Sequence, residues 1–148
     1  MFIENPLNSS PLAFPILECI HIVGFALSVG TIGVVDLRLL GVGKRYETPS
    51  QLYRDTWLWT LSGLIIMIFS GLLLFSSDPD MYYLNWAFLI KMACLVAGIV
   101  FNYTIHRKVV LSDGSSSGAT KLVASISLVL WAAVVFGGIF IAFIDQGL

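Results

Sequence analysis

The sequence predicts an all-α protein, an integral membrane four-helix bundle with up-down-up-down topology. Of the 148 residues, 57% are hydrophobic and only 11% are charged, and the mean hydropathy is +0.90. Soluble domains typically carry about 25% charged residues, so this composition excludes a water-soluble globule. The length fits a single domain covering residues 1–148. A net charge of −1 with no basic tail gives no indication of nucleic-acid binding.

Four apolar stretches are each long enough to cross a bilayer, which takes about 20 residues in an α-helix. Backbone amides in lipid must find partners within their own segment, so these stretches are expected to be helices. Short connections rich in turn-forming residues join them, which makes successive helices antiparallel neighbours. The predicted spans cover about residues 15–40, 57–75, 84–109 and 121–144.

The four spans differ in the polar residues they contain. The first begins at Pro15, which the first turn of a helix tolerates, and carries Glu18 and His21. The second contains no charged residue, the third carries Lys91 within its apolar part, and the fourth has an apolar centre. Residues 1–10 contain no Lys or Arg and do not resemble a secretory signal, so the first span is expected to stay in the mature protein.

Basic residues flank the first and third connections, whereas the second contains Asp78 and Asp80 and no basic residue. Because Lys and Arg accumulate on the cytoplasmic side of membrane proteins, both basic connections are predicted to be cytoplasmic and both termini to lie outside. The predicted location is a bacterial inner membrane, with membrane lipid around the bundle. The basic residues behind this orientation are Arg38, Lys44, Arg45, Arg54, Arg107, Lys108 and Lys121.

Polar and small residues recur along one face of the third span. At about 100° of rotation per residue, five such positions fall within an arc of about 120°. Polar side chains are costly in lipid, so this face is predicted to point into the bundle. Asn102 lies deep enough that it must hydrogen-bond a neighbouring helix or a ligand. The five residues are Lys91, Cys94, Gly98, Asn102 and His106.

The first span carries a similar stripe, and both spans run from the outer to the inner side. His21 to Asp36 is 15 residues, as is Lys91 to His106, or roughly 22 Å of helix. Equal spacing predicts two polar layers near opposite ends of the bundle, so the two histidines are not expected to ligate one metal together. The outer layer contains Glu18, His21 and Lys91, and the inner layer contains Asp36, Arg38 and His106.

The outer layer has groups that suit b-type haem. Haem iron takes an axial histidine, and hydrogen bonds to that histidine tune its potential. His21 is the candidate ligand through Nε2, with Glu18 orienting its ring. Lys91, if desolvated, loses its proton and becomes the opposite ligand, and Asn102 is a further candidate for contact with the cofactor. Redox or electron-transfer work with a membrane redox partner would follow.

Other interpretations of these residues stay open. Lys91 could instead pair with Glu18, its stem reaching the interface. Copper is an alternative cofactor, because thiolate and thioether ligands suit Cu(I), although Cys19 lies about 160° around the helix from His21. A small transporter and a non-catalytic accessory subunit are alternative functions. The inner layer is most simply a charge network at the helix ends, and Gly-rich stretches at 30–33 and 137–138 permit close contacts within or between chains.

Several motifs resemble those of known membrane families. The run at 15–24 with its Glu-x-x-His, the Asp-Leu-Arg-Leu-Leu-Gly at 36–41, and the later 85–91, Asn102 and 127–131 are similar to a bacterial family of small four-span proteins of unknown function. That resemblance covers most of the chain and implies a four-helix membrane fold.

A second resemblance, to the HemJ-type protoporphyrinogen IX oxidases, rests on spacing. His21, Gly24, Arg38-Leu39 and Lys91 stand at intervals similar to those of that family. The resemblance implies haem b binding by His21 and Lys91. Glu18 and Asp36 are not part of that pattern, so the oxidase reaction itself is not carried over.

Overall fold

Four helices in the computed structural model are long and apolar enough to cross a membrane, and the described residues contain no strand. The structure describes residues 10–43, 46–112 and 117–144. The predicted all-α class is thereby confirmed. Lys44 and Arg45, used above for the orientation, lie outside the described residues. The helices are α1 Ala13–Leu39, α2 Pro49–Ser77, α3 Pro79–Tyr83, α4 Trp86–Phe101, a π segment Asn102–His106, α5 Arg107–Leu111 and α6 Gly118–Ile144.

Helix α2 begins at Pro49, eight residues before the apolar stretch from which the span was predicted. A capping box sets this start: the Thr48 side chain accepts from the Gln51 backbone N–H, and the Gln51 side chain accepts from the Thr48 N–H. Pro49 is favourable at the first helical position. The first two turns are therefore polar helix beyond the apolar stretch, which hydropathy alone does not detect.

Helices α1 and α2 are antiparallel and pack closely. Towards one end the His21 ring lies 3.0 Å from the Ser70 hydroxyl, and ten residues later Thr31 Oγ1 lies 2.7 Å from Thr60 Oγ1. Between these bonds the backbones approach so closely that a Cβ on Gly63 would lie 2.6 Å from the Ser28 nitrogen. The close contact on α1 thus lies upstream of the predicted stretch 30–33. A Cβ built on either glycine of that stretch would meet nothing within 4 Å.

Helices α4 and α6 form the second antiparallel pair. Asn85 caps α4 by accepting from the Ala87 N–H, and its amide donates to the Ile141 carbonyl of α6. Gly98 faces the Trp131 ring at 3.6 Å from a built Cβ. Two buried apolar clusters lie between the pairs; they are Ile32, Leu64, Met67, Trp131 and Val134, and, nearer the inner end, Val35, Leu39, Val110 and Ala124.

The outward surface of the long helices is apolar along most of its length. Ile65, Phe69 and Leu72 of α2 and Val129 and Phe136 of α6 are all more than half exposed. Water would make such a surface unfavourable, whereas acyl chains would not. The surface therefore suits a membrane protein, as the length and hydropathy of the helices do.

Candidate functional site

The inner layer centres on one buried ion pair, Asp36 with His106. Asp36 Oδ1 lies 2.6 Å from His106 Nε2, and the two side chains are 0% and 1% exposed. They come from α1 and from the π segment, so the pair joins the two antiparallel helix pairs. Arg38 does not join it: the Arg38 Nε–H donates to the Glu47 carbonyl at 2.7 Å and holds the connection that follows α1.

Within the described residues, the third span is interrupted by the π segment Asn102–His106. A π turn contains about one residue more than an α turn and is frequent at functional sites. Asn102 and His106, at its two ends, both lie on the buried side of the helix, at 2% and 1% exposed. The predicted polar face of this span is buried at these two residues and at Gly98, and half-buried at Lys91 and Cys94.

Four buried polar atoms around this pair have no hydrogen-bond partner among the described residues. They belong to α1, the π segment and α6, and we call their four residues the inner polar cluster. Ser127 stands opposite Asn102 in the α4–α6 register that pairs Gly98 with Trp131 and Lys91 with Gly137. The atoms are Asp36 Oδ2, His106 Nδ1, Asn102 Oδ1 and Ser127 Oγ.

The outer layer is built around His21. The Ser70 hydroxyl donates its single proton to the Ile66 carbonyl, 2.6 Å away. It therefore accepts from His21 Nδ1–H at 3.0 Å in the tautomer that leaves the lone pair on Nε2. The Met67 backbone is a further hydrogen-bond partner of the ring. Gly71 leaves space beside the ring, since a Cβ there would lie 3.0 Å from Cε1.

Lys91 lies against the two adjacent glycines of α6. A Cβ on Gly137 would lie 2.9 Å from Lys91 Cβ, and one on Gly138 would lie 3.2 Å from Nζ. Within the described part of the chain Lys91 makes no ion pair, and its charge acts on His21. The Lys91–Glu18 pair considered from the sequence is therefore absent from these residues.

Glu18 does not take the orienting role predicted for it. Its side chain is exposed and makes no hydrogen bond to His21 among the described residues; Ser70 of α2 holds the ring instead. Glu18 lies towards the short helix α3, where burial, and then the nearby carboxylates of Glu18 and Asp78, raise the pKa of the Tyr82 phenol. Helical periodicity placed Glu18 on the His21 side of α1 but not close enough to the ring.

The residues proposed for copper do not converge in the structure. Cys19 is exposed, whereas Cys94 packs against the apolar cluster that contains Trp131. Within residues 10–43, 46–112 and 117–144, no group of three or more His, Cys, Asp or Glu side chains could hold a metal ion.

Comparison with known proteins gives one match, Family of unknown function (DUF6644), over residues 13–144. The chain belongs to this family. No curated protein and no solved structure matches it. The resemblance to a four-span family of unknown function, drawn from the sequence motifs, is confirmed.

In this member of the family, the two polar sites are separate. Asn102 was expected to contact a cofactor at His21, but it belongs to the inner polar cluster, four residues from His106 and eleven from Lys91, or about 16 Å along the helix. Ser70 and Ser127 were not predicted as site residues. The signal in the sequence is weak: Ser70 is the only polar side chain of residues 65–71, but this does not reveal its partner.

Proposed function

We propose that this protein binds b-type haem at its outer site in a bacterial inner membrane, with His21 as axial ligand, and serves redox or electron transfer. The observation that carries the proposal is the state of the His21 ring. In the tautomer with a proton on Nδ1 the ring donates to Ser70 and Nε2 keeps the lone pair that a metal needs, while the Met67 backbone is a further partner of the ring. Metal-binding histidines are commonly fixed in this way, because the bond on one ring nitrogen sets the orientation and basicity of the other.

Lys91 supports the same proposal from the opposite helix pair. It is half-buried and free of any described carboxylate partner, and its side chain occupies the space that Gly137 and Gly138 leave on α6. Burial in an apolar bundle favours a neutral amine, which can ligate iron. The spacing shared with the HemJ-type oxidases concerns these same two residues. Bound haem would supply one-electron transfer, with a potential tuned by the His21–Ser70 bond.

A transporter is supported less well, because the two polar sites are not connected. Ile32, Trp131 and Val134 fill the space between them and are at most 3% exposed. A polar route across the bundle would have to pass this apolar cluster. Haem at the outer site needs no such route.

An absorption spectrum of protein purified after haem-replete expression tests the proposal. We expect a Soret band that is lost in His21→Ala and restored when imidazole is added, since imidazole can occupy the vacated position of the ligand. Cys19→Ala, an exposed neighbour on α1, is the matched control and should keep the band. A folded wild-type protein with no Soret band, or a spectrum unchanged in His21→Ala, would contradict the proposal.

Lys91→Met separates a ligand from a merely structural lysine. If the amine is the second axial ligand, we expect the ferric haem to change from low to high spin, measured by electron paramagnetic resonance, with haem still bound. Lys121→Met removes an exposed lysine of α6 and should leave the spin state unchanged. An unchanged low-spin signal in Lys91→Met would remove Lys91 from the site and favour a structural role.

A further inference from the structure

We propose that the inner polar cluster, formed by Asp36, His106, Asn102 and Ser127, is a hydrated proton-binding site. The Asp36–His106 pair would hold one exchangeable proton, with internal water bridging the pair to Asn102 and Ser127. This inference concerns the opposite end of the bundle from the haem site and does not depend on haem.

The unpartnered atoms are the first step of the argument. A buried polar atom without a hydrogen bond is energetically costly, and these four residues contribute four such atoms. In native proteins such groups are commonly hydrogen-bonded to internal water, and each buried water makes about three hydrogen bonds. Asn102 Oδ1 can only accept a hydrogen bond, and so can Asp36 Oδ2 when the carboxyl is ionised. The ligand must therefore donate to both atoms.

Charge balance is the second step. With His106 protonated at Nδ1 and one further proton shared between Asp36 Oδ1 and His106 Nε2, the pair is neutral whichever of these two atoms holds the shared proton. Losing the proton leaves an uncompensated carboxylate in an apolar bundle, and gaining another leaves an uncompensated imidazolium; both are costly. Such intramembrane Asp–His pairs are typical of proton relays, and His106 Nδ1 is the ring atom left for exchange with water.

The charged groups around the pair favour proton exchange towards the end of the bundle that carries most of the basic residues. On α1, Arg38 lies two residues beyond Asp36 and is turned to Glu47. Helix α2 offers the partly buried Tyr53, which packs on the apolar cluster below the pair. The remaining charged groups near this end, from α2, α5 and α6, are exposed; they are Arg54, Asp55, Arg107, Lys108 and Lys121. Among the described residues, none of the groups named here is hydrogen-bonded to the pair.

Ring-labelled histidine makes the site directly observable, because the chain contains only two histidines. With ¹⁵N-labelled His and assignment by His21→Ala, we expect the His106 ring protons to exchange with water at a measurable rate in the folded protein. Asp36→Asn should change that rate, because it removes the carboxylate that holds the shared proton. His106 ring protons that show no exchange with water, in folded wild-type protein, would overturn the proposal.

Ser127→Ala tests hydration in a variant that should fold. If Ser127 Oγ binds internal water, removing it lowers the thermal midpoint by a few degrees and changes the rate at which the His106 ring protons exchange with water. If the site is dry, alanine relieves an unsatisfied hydroxyl and the midpoint rises, which would overturn the proposal. Ser125→Ala is the matched control: Ser125 is exposed, bonds only to the Lys121 carbonyl and should change neither quantity.

Discussion

Asp36 and His106 form a buried side-chain pair that bears on both the helix register and the stability of this bundle. Among the described residues they make the ion pair that links α1 to the third span. Breaking a buried pair by removing one partner typically costs about 3–5 kcal/mol, because the other charge is left uncompensated. Replacing both partners with apolar residues is often nearly neutral. The pair is therefore expected to specify register more than to add net stability.

A double-mutant cycle checks that expectation. We expect Asp36→Leu and His106→Leu each to lower the free energy of unfolding by about 3–5 kcal/mol, and the double variant to lose much less than their sum. Unfolding in mixed detergent, followed by circular dichroism, would supply the values. Asp55→Leu replaces an exposed aspartate of α2 as control. Strictly additive losses would show that the two side chains do not act as a pair.

Ser70 carries the second prediction at this scale. Because its hydroxyl accepts the His21 Nδ1–H, Ser70→Ala should weaken haem binding roughly 10- to 100-fold, the usual effect of removing a group that orients a metal ligand. Haem titration monitored at the Soret band would measure it. Ser62→Ala, an exposed position of the same helix, should bind like the wild type. Equal affinities for Ser70→Ala and the wild type would separate Ser70 from the haem site.

Whether a site residue could be predicted from the sequence depended on how conspicuous its side chain is in an apolar helix. Lys91, Asn102 and His106 could be found from the sequence, because polar groups spaced along one face of an apolar helix are conspicuous. Ser70 and Ser127 could not, since serine is common on both faces of membrane helices and only the packing reveals its partners. Glu18 was wrong as a partner of His21 because periodicity gives direction around a helix but no distance to a ring.

At the scale of elements, the contact between α1 and α2 depends on two glycines. A Cβ on Gly63 would meet backbone atoms of α1, and backbone cannot move aside as a flexible side chain can. A Cβ on Gly24 would lie 2.9 Å from the Met67 nitrogen. The sequence prediction named the glycines at 30–33 and at 137–138. Gly137 lies close to Lys91, whereas a Cβ on Gly30 or Gly33 would meet nothing within 4 Å, because small residues permit close packing without specifying where it occurs.

Alanine substitution compares a glycine at the close helix contact, Gly63, with one that has free space beside it, Gly30. Gly63→Ala should force α1 and α2 apart and lower stability by several kcal/mol, as overpacking against a rigid neighbour does. Gly30→Ala meets nothing within 4 Å and should be neutral or slightly stabilising, because alanine favours helix by up to about 1 kcal/mol. Thermal unfolding of the two variants in one detergent makes the comparison. A tolerated Gly63→Ala would mean that the helices are less tightly packed than described.

At the scale of the whole molecule, hydropathy predicted the four long helices because lipid imposes both length and composition. It could not predict that α2 extends back to Pro49, since a capping box acts through hydrogen bonds rather than burial. Nor could it predict the π segment, whose extra residue per turn depends on the packing of the third span. Orientation remains a prediction from the basic residues.

Cysteine labelling tests that orientation. In a Cys19→Ser, Cys94→Ala background, Tyr46→Cys and Ser112→Cys should react only after permeabilisation, because their connections carry the basic residues. Asp80→Cys, on exposed α3, should react in intact cells. An impermeant maleimide read by gel shift gives the result. The reverse pattern would place the outer site in the cytoplasmic half.

The division of the bundle into two antiparallel pairs has a mechanical consequence. Helix α1 packs chiefly on α2, and α4 chiefly on α6, while the Asp36–His106 bond ties the pairs together near one end. His21 and Lys91 belong to different pairs at the opposite end of the bundle from that bond. Haem held by both side chains would therefore be a second link between the two pairs.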